Sequence, residues 1–126
     1  MRGMWSSTTA ALMNEWHRGD VVWVELDPAR DREQAGRRPA LVVASDLYLE
    51  QADALDIIVP ATFVDRGWPN HVPLRGAETG LTRPTFAMME QPRTVARERL
   101  VGWIGTVDAS TMRNVDAWLR DFLALP

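Results

Sequence analysis

A chain of 126 residues, 46% apolar and 25% charged, is sized for one domain with one real core, and this composition argues against disorder or a fibrous repeat. It has no cysteine and only two histidines, His17 and His71, which excludes disulfides, thiolate nucleophiles, cysteine-bound zinc and a three-histidine metal site; no cofactor is expected. The formal net charge of −3 speaks against indiscriminate binding to duplex phosphates but leaves room for a local basic site.

Residues 1–15 are expected to be a poorly ordered extension, since Ser6 to Thr9 and Asn14 interrupt the apolar residues and leave no secretory signal core. The domain is expected over 16–126, and with no apolar stretch of membrane-spanning length the expected location is the cytoplasm. Asp20 to Leu26 (DVVWVEL) alternates Val22, Val24 and Leu26 against Val21, Trp23 and Glu25, which predicts a first strand with one face deep in the core. Asp27-Pro28 ends it, and the aperiodic stretch from Ala29 to Arg38, with four arginines and Gly36, predicts a mobile loop. Pro39 to Ala44 (PALVVA) predicts a buried strand with Pro39 at its first position, where a missing N–H costs least.

Ser45 caps a predicted helical turn running to Ala54, and Leu55 to Ala61 predicts another strand. After a break at Thr62 to Pro69, His71 to Leu74 predicts a short edge strand limited by Pro73, with His71 an exposed bystander. Thr85 to Met89, Gln91 to Val95 and Leu100 to Val107 are three further strand predictions, joined by connections too short for parallel crossovers. Asp108 then caps a predicted amphipathic helix to about Leu123, with Met112, Val115, Leu119, Phe122 and Leu123 on one face. The expected fold is α+β, a small curled antiparallel barrel with a C-terminal α-helix against its wall.

Four runs carry a further signal: RGDVVWVELDP at Arg18 to Pro28, EQAGRRPALVV at Glu33 to Val43, VPAT at Val59 to Thr62, and EQPRTV at Glu90 to Val95. In this order and spacing they resemble the MazF/PemK family of toxin endoribonucleases, from about His17 to Leu123. The resemblance implies an SH3-like barrel that forms a homodimer, cleaves single-stranded RNA at short specific sequences without a metal, and is neutralised by a cognate antitoxin. It implies a catalytic pair, Arg38 and Thr62, and places Glu33, Gln91 and Arg93 on positions that line the RNA groove. Gln34 and Arg37, their neighbours in sequence, are counted with the RNA-binding residues.

Those residue types suit that chemistry. RNA supplies its own nucleophile in the 2′-hydroxyl, so the protein need only position the adjacent phosphate and stabilise charge as a cyclic phosphate forms. The planar fork of Arg38 matches two phosphate oxygens, and the Thr62 hydroxyl can donate to a third or to the leaving oxygen. Glu33 is a candidate base, because a guanidinium is a poor proton shuttle. Without the resemblance, Arg38 reads as an ion-pair partner of Asp27 or Glu33, Thr62 as a turn residue, and Gln91 with Arg93 as a solvated strand face. The chain departs from many members at Asp31-Arg32 and at Pro92, which predicts an edge or a bulge in its strand. Alternative readings are a gyrase-binding toxin like CcdB, although the chain ends DFLALP rather than in Trp-Gly-Ile, and a non-catalytic SH3-like binding module. The arginine cluster Arg30, Arg32, Arg37 and Arg38 predicts an antitoxin with an acidic, disordered tail that covers Arg38.

Overall fold

In the computed structural model the described residues, 16–26 and 37–126, form seven strands, all paired antiparallel, and two α-helices. The strands are β1 (Asp20–Glu25), β2 (Arg37–Val42), β3 (Leu55–Thr62), β4 (His71–Pro73), β5 (Phe86–Met88), β6 (Arg93–Ala96) and β7 (Leu100–Thr106); α1 (Asp46–Gln51) links β2 to β3, and α2 (Ala109–Leu123) follows β7. The sheet runs in the order β4-β5-β3-β2-β1-β7, with β6 added beside β3. Among the described residues no ladder joins β4 to β7, so the sheet is open. The calls at 1–15 and at Glu33 and Gln34 lie outside the described residues.

β3 organises this sheet. It pairs with β2 from Ile58 to Pro60, with β6 through Leu55 to Ile58, and with β5 through Ala61 and Thr62. Pro60 falls between the last partner of β6 and the first of β5, where the missing N–H costs no ladder bond to either. Pro39 is the third residue of β2 rather than the first; Arg37 and Arg38 extend the strand by pairing with Glu25 and Val24 of β1 alone. The β2–β3 ladder begins one residue later, at Ala40, so Pro39 is tolerated at the strand's half-paired end.

Both faces of the sheet are covered, which is why β2 and β3 read as continuous apolar runs rather than clean alternation. Val21, Leu41, Val59, Ala61 and Val115 form one buried cluster with Met112, Trp118 and Leu119 of α2 against it. Val22, Val24, Ala40, Val42, Ile58, Val95 and Leu49 of α1 form the other. The helix starts were legible: Ser45 Oγ accepts from the Tyr48 N–H at 3.0 Å and Asp108 Oδ1 from the Thr111 N–H at 2.8 Å, each satisfying an orphan donor of a first turn. Asp116 of α2 is half-buried and pairs with Arg18. Phe122 and Leu123, expected on the buried face, are exposed.

A close approach shapes one end of the sheet. A Cβ on Gly80, at φ +68°, would lie 2.2 Å from the Ile104 carbonyl oxygen, and one on Gly105 would lie 2.2 Å from that of Thr79, so the segment before β5 crosses β7 backbone to backbone. Gly80→Ala meets both a left-handed conformation and a backbone clash, and a loss of at least about 2 kcal/mol is expected by urea denaturation. A variant within about 0.5 kcal/mol of the parent would show that the segment can move aside.

Candidate nucleic-acid interface

Arg38 is half-buried on β2 opposite Val24, and Arg37 is exposed opposite Glu25. The two neighbours leave opposite sides of the strand: Arg38 falls in line with Ala40 and Val42 on the α1 side, Arg37 with Leu41 on the α2 side. Thr62, the last residue of β3, is in line with Ile58 on the same side as Arg38. The β2–β3 ladder ends at Ala40↔Pro60; Arg38 lies two residues before Ala40 and Thr62 two residues after Pro60, so both stand just beyond that ladder on the same face. The Thr62 hydroxyl accepts from the Val64 N–H at 3.1 Å, so the turn role read from sequence is present, and its own hydrogen remains to be donated outward.

Arg93 opens β6 opposite Ile58, and is therefore on the same face, four residues or about 13 Å along β3 from Thr62. Gln91 is not in a strand. The turn Met89–Glu90 precedes it, Pro92 cannot donate to a ladder, and β6 begins only at Arg93; the strand is an edge, as the proline required.

His71, expected to be exposed, is buried: β4 pairs it with Met88, and Trp68 covers it with ring centroids 4.7 Å apart. Its Nε2 lies 3.3 Å from Glu90 Oε2, while Asn70 Nδ2 donates to Glu90 Oε1 at 2.8 Å and Gln91 Nε2 to Oε2 at 3.4 Å. Burial pushes the Glu90 carboxyl up, but its own backbone N–H, His71 and Gln91 together outweigh it and hold the group below its ordinary range. A carboxylate that accepts from Gln91 Nε2 leaves the amide oxygen of Gln91 for other donors. The sequence contained no sign of this cluster beyond Glu90 itself, since it depends on β4–β5 pairing across 19 residues.

Two further carboxylates are buried. Asp20 is raised by burial, offset in part by the His17 N–H at 2.7 Å and the Trp103 indole N–H at 3.3 Å. Asp56 has one oxygen bonded to the Ile57 N–H and Oδ2 buried without a partner among the described residues. Arg97, whose charge acts on Asp56, donates from Nη2 to the carbonyls of Leu49, Ala52 and Leu55 at 2.7 to 3.0 Å and so closes the C-terminal end of α1.

An open antiparallel sheet with a C-terminal helix defines a small α+β protein. The sequence profile of the PemK-like, MazF-like toxins of type II toxin-antitoxin systems matches residues 17–123, and the chain belongs to that family. It is 37% identical to the Mycobacterium tuberculosis endoribonuclease MazF9 over 113 residues, 86% of this chain and 96% of the relative. It is 34% identical to the Escherichia coli endoribonuclease toxin MazF over 79% of this chain and 86% of the relative. A MazE-MazF structure from Deinococcus radiodurans matches the fold with a TM-score of 0.73 at 26% identity, covering 88% of this chain and 97% of the other.

Proposed function

We propose that this protein is a toxin endoribonuclease, cutting single-stranded RNA at short specific sequences without a metal. The observation that supports the reading is that Arg38 and Thr62 stand just beyond the β2–β3 ladder, on one face, in a chain of the MazF-like family. In the reaction the 2′-oxygen attacks the adjacent phosphorus and the bond from phosphorus to the 5′-oxygen breaks, leaving a 2′,3′-cyclic phosphate and a 5′-hydroxyl. Arg38 grips two non-bridging oxygens as charge grows on them, and the Thr62 hydroxyl donates to a phosphate oxygen or to the departing one. The 2′-hydroxyl proton needs an acceptor, for which Glu33 is the candidate, and the 5′-oxygen takes up a proton as it leaves. Arg93 and the Gln91 amide oxygen extend the contact surface along the strand, with Gln34 and Arg37 at its margin.

The same reading has the sheet curled as an SH3-like barrel over 16–126, two chains joined as a homodimer, and cytoplasmic residence. An antitoxin with an acidic, disordered tail covers Arg38 and competes with RNA. The relatives' names support a nuclease over the gyrase-binding alternative. The deciding experiment incubates the purified protein with a long single-stranded RNA in chelator and maps fragment ends: 5′-hydroxyl ends at one short motif are expected, and intact RNA refutes the proposal. Arg37→Ala should weaken RNA binding modestly and reduce the steepness of log K against log salt by about 0.7, the share of one single-strand phosphate contact. An unchanged salt slope would remove Arg37 from the binding surface.

A further inference from the structure

On the α2 side of the sheet, the face opposite Arg38 and Thr62, a cleft of about 310 Å³ opens between β1, β7 and the segment following β3, with Trp23, Phe63, Leu81, Arg83, Trp103 and Ile104 in its wall. No acidic residue lines it among the described residues. Trp23 sits directly across from Pro39, the neighbour of Arg38, and Phe63 directly follows Thr62. The cleft therefore opens one residue away from each member of the proposed phosphate-binding pair.

Its surfaces are held ready for a flat partner. The Arg83 guanidinium lies 3.9 Å from the centroid of the Phe63 ring, a cation already layered on an aromatic face. Trp103 is 59% exposed, unusual for so large an apolar ring, yet it is not loose. Its indole N–H donates to Asp20 Oδ1, and Asp20 is itself buried and anchored by the His17 N–H, so the ring edge is tethered while its face looks outward. The Gly80 and Gly105 approach brings the Leu81 to Arg83 segment against β7 and so builds the opposite wall.

We infer that this cleft is a stacking subsite for a nucleobase flanking the scissile phosphate of single-stranded RNA, with Trp103 and Phe63 as platforms and Arg83 as the cation over the base or on its phosphate. The inference rests on the reading of this protein as an RNA-cleaving toxin. A strand rounding the end of the sheet places a phosphate on the Arg38 and Thr62 side and turns the adjacent base into the cleft. Stacking uses the face every base has, so the subsite adds affinity with weak base preference, while Gln91 and Arg93 read edges and phosphates elsewhere.

The test uses the full chain and an RNA oligonucleotide spanning the mapped cleavage site, with a 2′-deoxy nucleotide at the scissile position so that it binds without being cut. Each flanking nucleotide is replaced in turn by an abasic one, and the dissociation constant is measured for the parent, Trp103→Ala, Trp103→Leu and Trp103→Phe. One abasic position should weaken the parent about tenfold and weaken Trp103→Ala no further, because the lost partner is the same. Trp103→Phe should keep most of the affinity and Trp103→Leu, with similar apolar bulk and no ring, should lose it; on cleavable RNA the loss should appear in KM rather than kcat. Thermal melts show which variants are folded, and Trp103→Leu carries the comparison if Trp103→Ala melts early. An abasic scan identical in parent and variants overturns the subsite while leaving cleavage, and its dependence on Arg38, intact. A scan that behaves as expected while the all-ribose form of the same oligonucleotide stays intact with the parent refutes the nuclease reading and keeps the subsite. Loss of affinity for an acidic antitoxin peptide with no effect on RNA overturns it in favour of a peptide pocket, and a parent that binds no single-stranded RNA overturns both.

Discussion

Arg38→Ala is expected to cut the rate of RNA cleavage more than a hundredfold while leaving the melting temperature within a few degrees of the parent. The side chain stands at the half-paired end of β2, beyond the β2–β3 ladder, so its removal takes no residue from either buried cluster. What is lost is a charge-assisted, two-pronged contact that tightens as negative charge develops on the phosphate, on the order of 3 kcal/mol of transition-state stabilisation. Arg38→Lys should recover little of it, since an ammonium supplies charge without the fork. Single-turnover rates in chelator, with a melt for each variant, decide the matter. Full activity in a folded Arg38→Ala protein would remove this arginine from the chemistry, and inactivity confined to an unfolded variant would make it a structural residue.

The second large effect concerns stability. Burial pushes the Asp56 carboxyl from 3.8 up to about 6; the Ile57 N–H and the Arg97 charge offset only part of that, and Asp20 adds repulsion. The folded chain therefore holds this proton more tightly than the unfolded chain does. The group's contribution to stability is most favourable below about pH 4 and is lost as pH rises through 6, reaching a penalty of about 3 kcal/mol at neutrality. Asp56→Asn keeps the shape and the acceptor for Ile57 but cannot ionise. Relative to the parent, the variant should gain about 2.5 kcal/mol between pH 4 and pH 7.5, read as the change in the difference between the two unfolding free energies from urea denaturation. The slope matters more than the offset, because the amide's N–H₂ carries its own burial cost at every pH. A difference that stays flat across that range would mean Asp56 titrates normally.

Much of this architecture was visible in the chain because local and global preferences agree. DVVWVEL and LDIIVPA became β1 and β3, Ser45 and Asp108 cap the two helices, and the short connections force antiparallel pairing. What escaped the sequence depended on contacts between distant segments. His71 is polar and stands on a short edge strand, but Trp68 and Glu90 enclose it, and neither is marked as its neighbour by spacing. Phe122 and Leu123 fit the period of α2, yet periodicity does not say how much of that face another element covers. The site divides in the same way. Residue types and motif order pointed to Arg38 and Thr62; that they share a face follows only from the β2–β3 register. Trp103 was hidden for the opposite reason, since an aromatic in a strand reads as core until its exposure is known.

The open sheet leaves three rows of backbone donors and acceptors without a ladder partner among the described residues, on β4, β6 and β7. Such rows invite a second copy to dock edge to edge, the route by which β-proteins clump at high concentration. Here β4 is three residues long and ends in Pro73, and β7 meets β1 with register shifts at Val21/Val22 and Trp23/Val24 that break its straight run. β6 is four residues long and follows Pro92, so none of the three edges offers a flat template of useful length, even though both faces of the sheet are richly apolar.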